Sequence, residues 1–218
     1  MDNPKNIIFD LGGVIIDLNR QSAVDALTEL GIKDADILLG EYRQKGLFLQ
    51  LERGEISAAD FYDALLPQCK EGTTCKDIQD ALEKFLVSLP KERLSLLRDL
   101  RKHDYNLYVL SNTNAIMFNH WIDNAFRAEG LTINDYFDNI VVSFQEKMCK
   151  PDAEIFEIVL KRYNLDPKET LFLDDSEKNC RAAHEVGIRV IQVKKEGLTT
   201  FEEICSHLVL QHWSYGEG

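Results

Sequence analysis

The sequence predicts an α/β fold: a doubly wound parallel core sheet carrying an inserted α-helical cap. Three observations predict it. Short apolar, β-branched or aromatic runs, each followed by a polar or turn cluster, recur at residues 6–9, 107–110, 170–173 and 189–193, with a fifth at 139–144. Helical periodicity fills the intervals between them. One connection, residues 19–90, is far longer than a simple crossover and holds several helical patterns with no convincing strand. Strands that alternate with helices pair in parallel through crossovers, which implies a Rossmann-like core.

The first run, Ile7-Ile8-Phe9, ends in Asp10 and turns through Leu11, Gly12 and Gly13. In the long connection, Ala23, Leu27 and Leu30 share one helical face. Ser57 with Asp60 resembles a capping box that opens the next helix, with Phe61 and Leu65 following. Ile78, Leu82, Phe85 and Leu89 mark a further helix. These helices are expected to cover the sheet as a cap at 19–90, leaving 1–18 and 91–218 as the core domain. Leu94, Leu97 and Leu100 predict a helix before the second strand, and Ile155, Val159 and Tyr163 one before residue 170. Ala182, Ala183 and Val186 predict another, stopped by Gly187. The tail from His212 to Gly218 is expected to fray.

Composition narrows the function classes. The 218 residues include 37 acidic and 25 basic side chains, for a formal net charge of −12. Sequence-independent nucleic-acid binding needs a basic surface and is not expected. A small anionic substrate stays open, because a local site can be positive on a negative protein. The five cysteines, Cys69, Cys75, Cys149, Cys180 and Cys205, show no Cys-x-x-Cys spacing. That pattern fits reduced cytosolic thiols, not a disulfide framework or zinc site. Asp10 interrupts the N-terminal apolar stretch, so no signal peptide is expected, and no run approaches the roughly 18 apolar residues of a membrane span. The expected compartment is the cytoplasm.

In an open α/β sheet, ligands bind beyond the carboxyl ends of the strands. There the sequence places Asp10 after the first strand and Ser111-Asn112-Thr113 after the second. Lys147 and Lys150-Pro151-Asp152 follow the 139–144 run, and Asp174-Asp175-Ser176 follow the 170–173 run. This set suits phosphoryl transfer. A carboxylate such as Asp10 can attack phosphorus and form an aspartyl-phosphate. Two anions repel, so a divalent cation must screen the approach; Mg²⁺ takes oxygen ligands, and Asp10 with Asp175 is the natural pair. Ser111 and the backbone after it can donate to phosphoryl oxygens, and Lys150 can supply fixed positive charge, with Lys147 as the nearby rival. No Gly-x-x-x-x-Gly-Lys-Ser/Thr, Gly-x-Gly-x-x-Gly or Gly-x-Ser-x-Gly motif offers another route.

Four ordered segments, Ile7-Ile8-Phe9-Asp10-Leu-Gly-Gly-Val14, Leu110-Ser111-Asn112, Lys150-Pro151-Asp152 and Phe172-Leu-Asp-Asp175-Ser-x-x-Asn179, resemble the motifs of the haloacid dehalogenase (HAD) superfamily. The resemblance spans residues 6 to about 195. The helical insertion resembles the C1 cap of subfamily I. The stretch Leu51-Glu-Arg-Gly-Glu-Ile-Ser57 is similar to the branch holding bacterial glucose-1-phosphate phosphatase and the phosphatase domain of soluble epoxide hydrolase.

The resemblance implies roles. Asp10 would be nucleophile and metal ligand, and Ser111, with Asn112 beside it, would bind the transferring phosphoryl group. Lys150 would pair with nucleophile and phosphate. Asp175 and the Gly12 carbonyl would complete the Mg²⁺ ligands, Asp174 would support them, and Asn179 would orient the metal-bound shell. One position departs from the pattern. Most phosphatases of the family carry a second aspartate two residues after the nucleophile, to protonate the leaving oxygen and activate water; here Gly12 stands there. Such proton transfer is worth about 10²–10⁴-fold. A good leaving group, such as an anomeric sugar or acyl phosphate, would need less of it. Otherwise the duty would pass to another side chain, such as Asp17 or the cap residue Glu52. The function expected is a Mg²⁺-dependent phosphatase for a small phosphorylated metabolite, with sugar phosphates first. The alternatives are a metal-independent haloacid dehalogenase and a catalytically weak phosphate-ester-binding module. No nucleic-acid or membrane partner is expected, and the chain is expected to act as a monomer or homodimer.

Overall fold

The computed structural model describes residues 4–40 and 46–213. Strand β1 (Asn6–Phe9) is buried at all four positions. Both its faces are covered, which is why it reads as a continuous apolar run rather than an alternation. A short strand β2 (Asp17–Leu18) follows. Then come helices α1 (Arg20–Glu29), α2 (Ala35–Leu38), α3 (Leu47–Glu52), α4 (Ala58–Leu65) and α5 (Cys75–Glu83). Strand β3 (Leu86–Ser88) returns to pair antiparallel with β2. Helix α6 (Lys91–Lys102) leads to β4 (Asn106–Ser111). Three short helices, α7 (Ala115–Met117), α8 (Asp123–Phe126) and α9 (Ile133–Tyr136), fill the way to β5 (Asn139–Val142). Helices α10 (Ser143–Glu146) and α11 (Ala153–Arg162) precede β6 (Thr170–Asp174). Helix α12 (Glu177–Glu185), β7 (Arg189–Gln192) and α13 (Phe201–Trp213) complete the described chain. No helix of the described residues is long and apolar enough to cross a membrane.

The core sheet is parallel, in the order β5-β4-β1-β6-β7. The chain leaves β1 toward β4 and β5, then crosses back to β6 and β7, so β1 lies at the switch point where such sheets open a crevice. Register sets what faces that crevice. Phe9 pairs with Val109 and with Leu173, so Asp10, Ser111 and Asp174 emerge at the same edge. Alternate residues load opposite faces. Ile7, Phe9, Leu107 and Val109 join Leu94, Leu97 and Leu100 of α6 and Phe201 of α13. Ile8, Leu110 and Phe172 join Phe156 of α11 and Ala183 of α12. The inserted helices have a separate core around Leu27, Phe61, Ile78 and Leu82.

Several local expectations hold. Ser57 and Asp60 form the reciprocal capping box of α4, and Gly187, at φ +88°, follows the end of α12. Two differ. The strand expected over 139–144 ends at Val142, because the β4 ladder beside it ends at Ser111, the partner of Val142. Ser143 therefore starts a helix. The insertion also contains a strand. The helix expected to carry Ile78, Leu82, Phe85 and Leu89 stops at Glu83, and residues 86–88 pair with β2, which lies at the other end of the insertion. Phe85 and Leu89 still pack against the core, so their apolar spacing served packing rather than a continuous helix. Helix α13 runs through Trp213, and residues 214–218 of the tail expected to fray lie outside the described residues.

Candidate active site

The carboxyl ends of β1 and β6 bring three carboxylates together. Asp10, Asp174 and Asp175 can each present an oxygen within 4.8 Å of the other two. Asp10 and Asp174 are buried and Asp175 is exposed. One cation sits among them. The Lys150 ammonium, fully buried, lies 3.0 Å from Asp10 Oδ1 and 2.7 Å from Asp174 Oδ2. Lys147, the rival, is exposed at the end of α10. Burial works against the Lys150 charge, but the two carboxylates hold its pKa above the usual lysine range. Burial pushes the Asp10 carboxyl up to about 7; Lys150 opposes this, and Asp174 and Asp175 add to it.

Among the described residues, Lys150 is shared between Asp10 and Asp174, and Asp175 adds a third carboxylate beside them. Hard oxygen donors with excess negative charge are the set a divalent cation such as Mg²⁺ accepts. The backbone leaves room for it. Gly13 has φ +74°, and a Cβ there would lie 2.2 Å from Asp175 Oδ2. Only glycine lets the loop after β1 pass this close to the acid.

Supporting groups fix the cluster. Asn179 Nδ2 donates to both oxygens of Asp174, at 3.0 and 3.1 Å, and the Ser176 N–H donates to Asp174 Oδ1 at 2.8 Å. The Leu11 N–H donates to Asp10 Oδ1 at 2.7 Å, the oxygen that also faces Lys150. Asn112 spends both its polar atoms on the Lys150 backbone. Its Oδ1 accepts from the Lys150 N–H and its Nδ2 donates to the Lys150 carbonyl, both at 2.9 Å. Asn112 thus ties the end of β4 to the backbone of the lysine. Ser111 is buried at the end of β4, and no hydrogen bond between described residues occupies its hydroxyl.

A cleft of about 430 Å³, measured to its open mouth, lies beside this edge and includes Gly12, Ser111 and Glu52 in its lining. Sequence reasoning missed the residue that joins cleft and cap, Ser143. Its buried hydroxyl lies 2.7 Å from the Glu52 carbonyl and 2.9 Å from the Thr113 carbonyl, and accepts the Thr113 N–H at 3.0 Å. Only its position at the end of an apolar run marked it. Two further ties hold the same turn. Arg53 Nη2 bonds Asp152 Oδ2 at 3.0 Å. Gly54, at φ +60°, lies so close to Phe144 that a Cβ would sit 2.0 Å from its carbonyl oxygen. The two candidates for proton transfer separate here. Asp17 bonds Arg93 Nη1 at 2.9 Å and Ser88 Oγ at 2.8 Å, whereas Glu52 faces the cleft.

Residues 4–187 match the family model of haloacid dehalogenase-like hydrolases. The chain belongs to this family. Among curated relatives, the hydrolase is 38% identical over 188 residues to the D-ribitol-5-phosphate phosphatase of Bacteroides thetaiotaomicron, covering 86% of this chain and 91% of that one. It is 33% identical over 190 residues to the sesquiterpene phosphatase astK of Aspergillus oryzae, covering 84% and 87%. Among solved structures, a HAD family enzyme of B. thetaiotaomicron in complex with magnesium and inorganic phosphate superposes with a TM-score of 0.83 at 38% identity, over 89% of this chain and 97% of that one.

Proposed function

We propose that the hydrolase is a Mg²⁺-dependent phosphatase that cleaves a small phosphorylated metabolite through an aspartyl-phosphate on Asp10. The carrying observation is the trio Asp10, Asp174 and Asp175 around the buried Lys150 at the carboxyl edge of the sheet. Asp10, the Gly12 carbonyl and Asp175 would hold Mg²⁺, with Asp174 and Asn179 supporting. When bound, the cation supplies the charge that lets a carboxylate approach a phosphate.

The residues of the chain do the rest. Asp10 attacks phosphorus and displaces the leaving oxygen; water then attacks the aspartyl-phosphate and frees the carboxylate. Among the described residues, the Leu11 N–H and Lys150 both bond Asp10 Oδ1, and Oδ2 is the oxygen that attacks phosphorus. Lys150 offsets the charge on Asp10 and on the transferring group. Ser111 offers its hydroxyl to the phosphoryl oxygens, and Asn112 acts by holding Lys150. The helical insertion acts as a cap of the C1 type. Sugar and polyol phosphates are the first substrate class, given the phosphatases among the relatives. Five unpaired thiols fit work in a reducing compartment such as the cytoplasm.

A panel of sugar, polyol, prenyl and acyl phosphates tests the reading. Phosphate release should require Mg²⁺, stop with EDTA and vanish in Asp10→Asn. Turnover that survives EDTA, or halide release from 2-haloacids without Mg²⁺, would refute it.

A further inference from the structure

The site lacks a proton carrier where Gly12 stands, and Asp17 is held by Arg93 and Ser88. We propose that Glu52, at the end of α3 in the cap, is the general acid and base of this site. The inference rests on the phosphatase reading above.

Three observations carry it. Among the described residues lining the cleft, Glu52 is the only one with a titratable side chain, and it shares that cleft with Gly12 and Ser111. Its carboxylate has no hydrogen bond or ion pair among the described residues, although it is half-buried beside Leu18, Phe48 and Phe85. A charge left without a partner in apolar surroundings is costly, and functional sites are where such groups occur. Finally, its backbone is held from the core side, by Ser143 at its carbonyl, the Arg53–Asp152 ion pair and the close fit of Gly54 on Phe144. Such ties fix the place of a side chain that the cap contributes to the cleft beside Gly12 and Ser111. Burial, and next the Asp10 charge, push Glu52 up to about 7, so both protonation states are accessible near neutral pH.

The chemistry balances. As Asp10 Oδ2 bonds to phosphorus and the P–O bond to the leaving group breaks, the Glu52 carboxylic acid gives its proton to the departing oxygen, which leaves as an alcohol. The Glu52 carboxylate then takes a proton from water as that oxygen attacks phosphorus. The P–O bond to Asp10 breaks, inorganic phosphate leaves, and Glu52 is again protonated.

The test compares wild type, Glu52→Gln and Glu52→Asp with Mg²⁺ on p-nitrophenyl phosphate, whose leaving group needs little protonation, and on an alkyl phosphate, whose leaving group needs it. Glu52→Gln should lower kcat/KM on the alkyl ester by about 10²–10⁴-fold. On the aryl ester the first step should persist. A burst of p-nitrophenol should precede slow turnover, because hydrolysis of the aspartyl-phosphate loses its base. Gly12→Asp in the Glu52→Gln background should restore alkyl ester turnover; the nearest atoms its Cβ would meet belong to the flexible Leu18 side chain, at 3.0 Å. An equal loss on both esters without a burst, a rise in KM alone, or full activity in Glu52→Gln would each overturn the inference. If Glu52→Gln fails to fold, Glu52→Asp carries the same comparison, and an alkyl-to-aryl ratio unchanged from wild type overturns the inference. Those failures would leave the phosphatase reading intact while Asp10→Asn stays inactive; a wild type without Mg²⁺-dependent turnover of either ester would remove both.

Discussion

Replacing Glu52 with glutamine should make the metal-free protein more stable at pH 8. The carboxyl lies half-buried in an apolar cleft near Asp10, and its pKa stands at about 7 against an ordinary 4.5. Below pH 4.5 it is protonated in folded and unfolded chains alike and changes nothing. As pH rises from 4.5 to 7, unfolded chains release the proton first, so wild-type stability falls; above 7 the whole penalty remains. The gap, at about 1.4 kcal/mol per pH unit, sets a ceiling of ~3 kcal/mol. Solvent reaching the cleft screens part of it, which leaves about 1–2 kcal/mol. Glutamine keeps the shape and removes the charge. Urea unfolding of both proteins in EDTA at pH 4.5 and pH 8 should show near-equal stabilities at the first and a gain of about 1–2 kcal/mol for Glu52→Gln at the second. In a chain of this length that gain corresponds to roughly 2–8 °C in Tm. A variant no more stable than wild type at pH 8, or equally stabilised at both pH values, would refute the argument that the cleft desolvates this acid.

Gly54→Ala should cost about 2–4 kcal/mol in urea unfolding, because a Cβ at φ +60° would lie 2.0 Å from the Phe144 carbonyl oxygen and left-handed strain adds to the overpacking; a loss under about 0.5 kcal/mol would show that cap and core do not fit this closely. Lys150→Met leaves Asp10 and Asp174 buried without their cation, which should cost about 3–5 kcal/mol. Mg²⁺ at 100 times its Kd should return about 2.7 kcal/mol of that loss, read by thermal unfolding with and without EDTA; a variant insensitive to Mg²⁺ would place the ion elsewhere.

Much of the site was legible because it sits at strand ends. Asp10, Ser111 and the Asp174–Asp175 pair each follow an apolar run, and parallel register carries such positions to one edge. The Lys-Pro-Asp context singled out Lys150, whose ammonium the fold sets between Asp10 and Asp174, while Lys147 is exposed. The pairing of Asn112 with the Lys150 backbone was not legible, since the two residues lie 38 positions apart. Ser143 was read as part of a strand, because no local pattern shows that the neighbouring ladder has ended.

The sequence by itself determined the alternation of buried strands with amphipathic helices, the capping box at Ser57, the stop at Gly187 and the missing acid at Gly12. Each is a property of adjacent residues or of a short period along the chain. Only the tertiary structure decided that Lys150 bridges Asp10 and Asp174, that Asp17 belongs to Arg93, and that Glu52 lines the cleft with no hydrogen-bond or ion-pair partner among the described residues. Burial, charge pairing and close approach are set by groups far apart in the chain, and their energies exist only once the packing that removes water has formed.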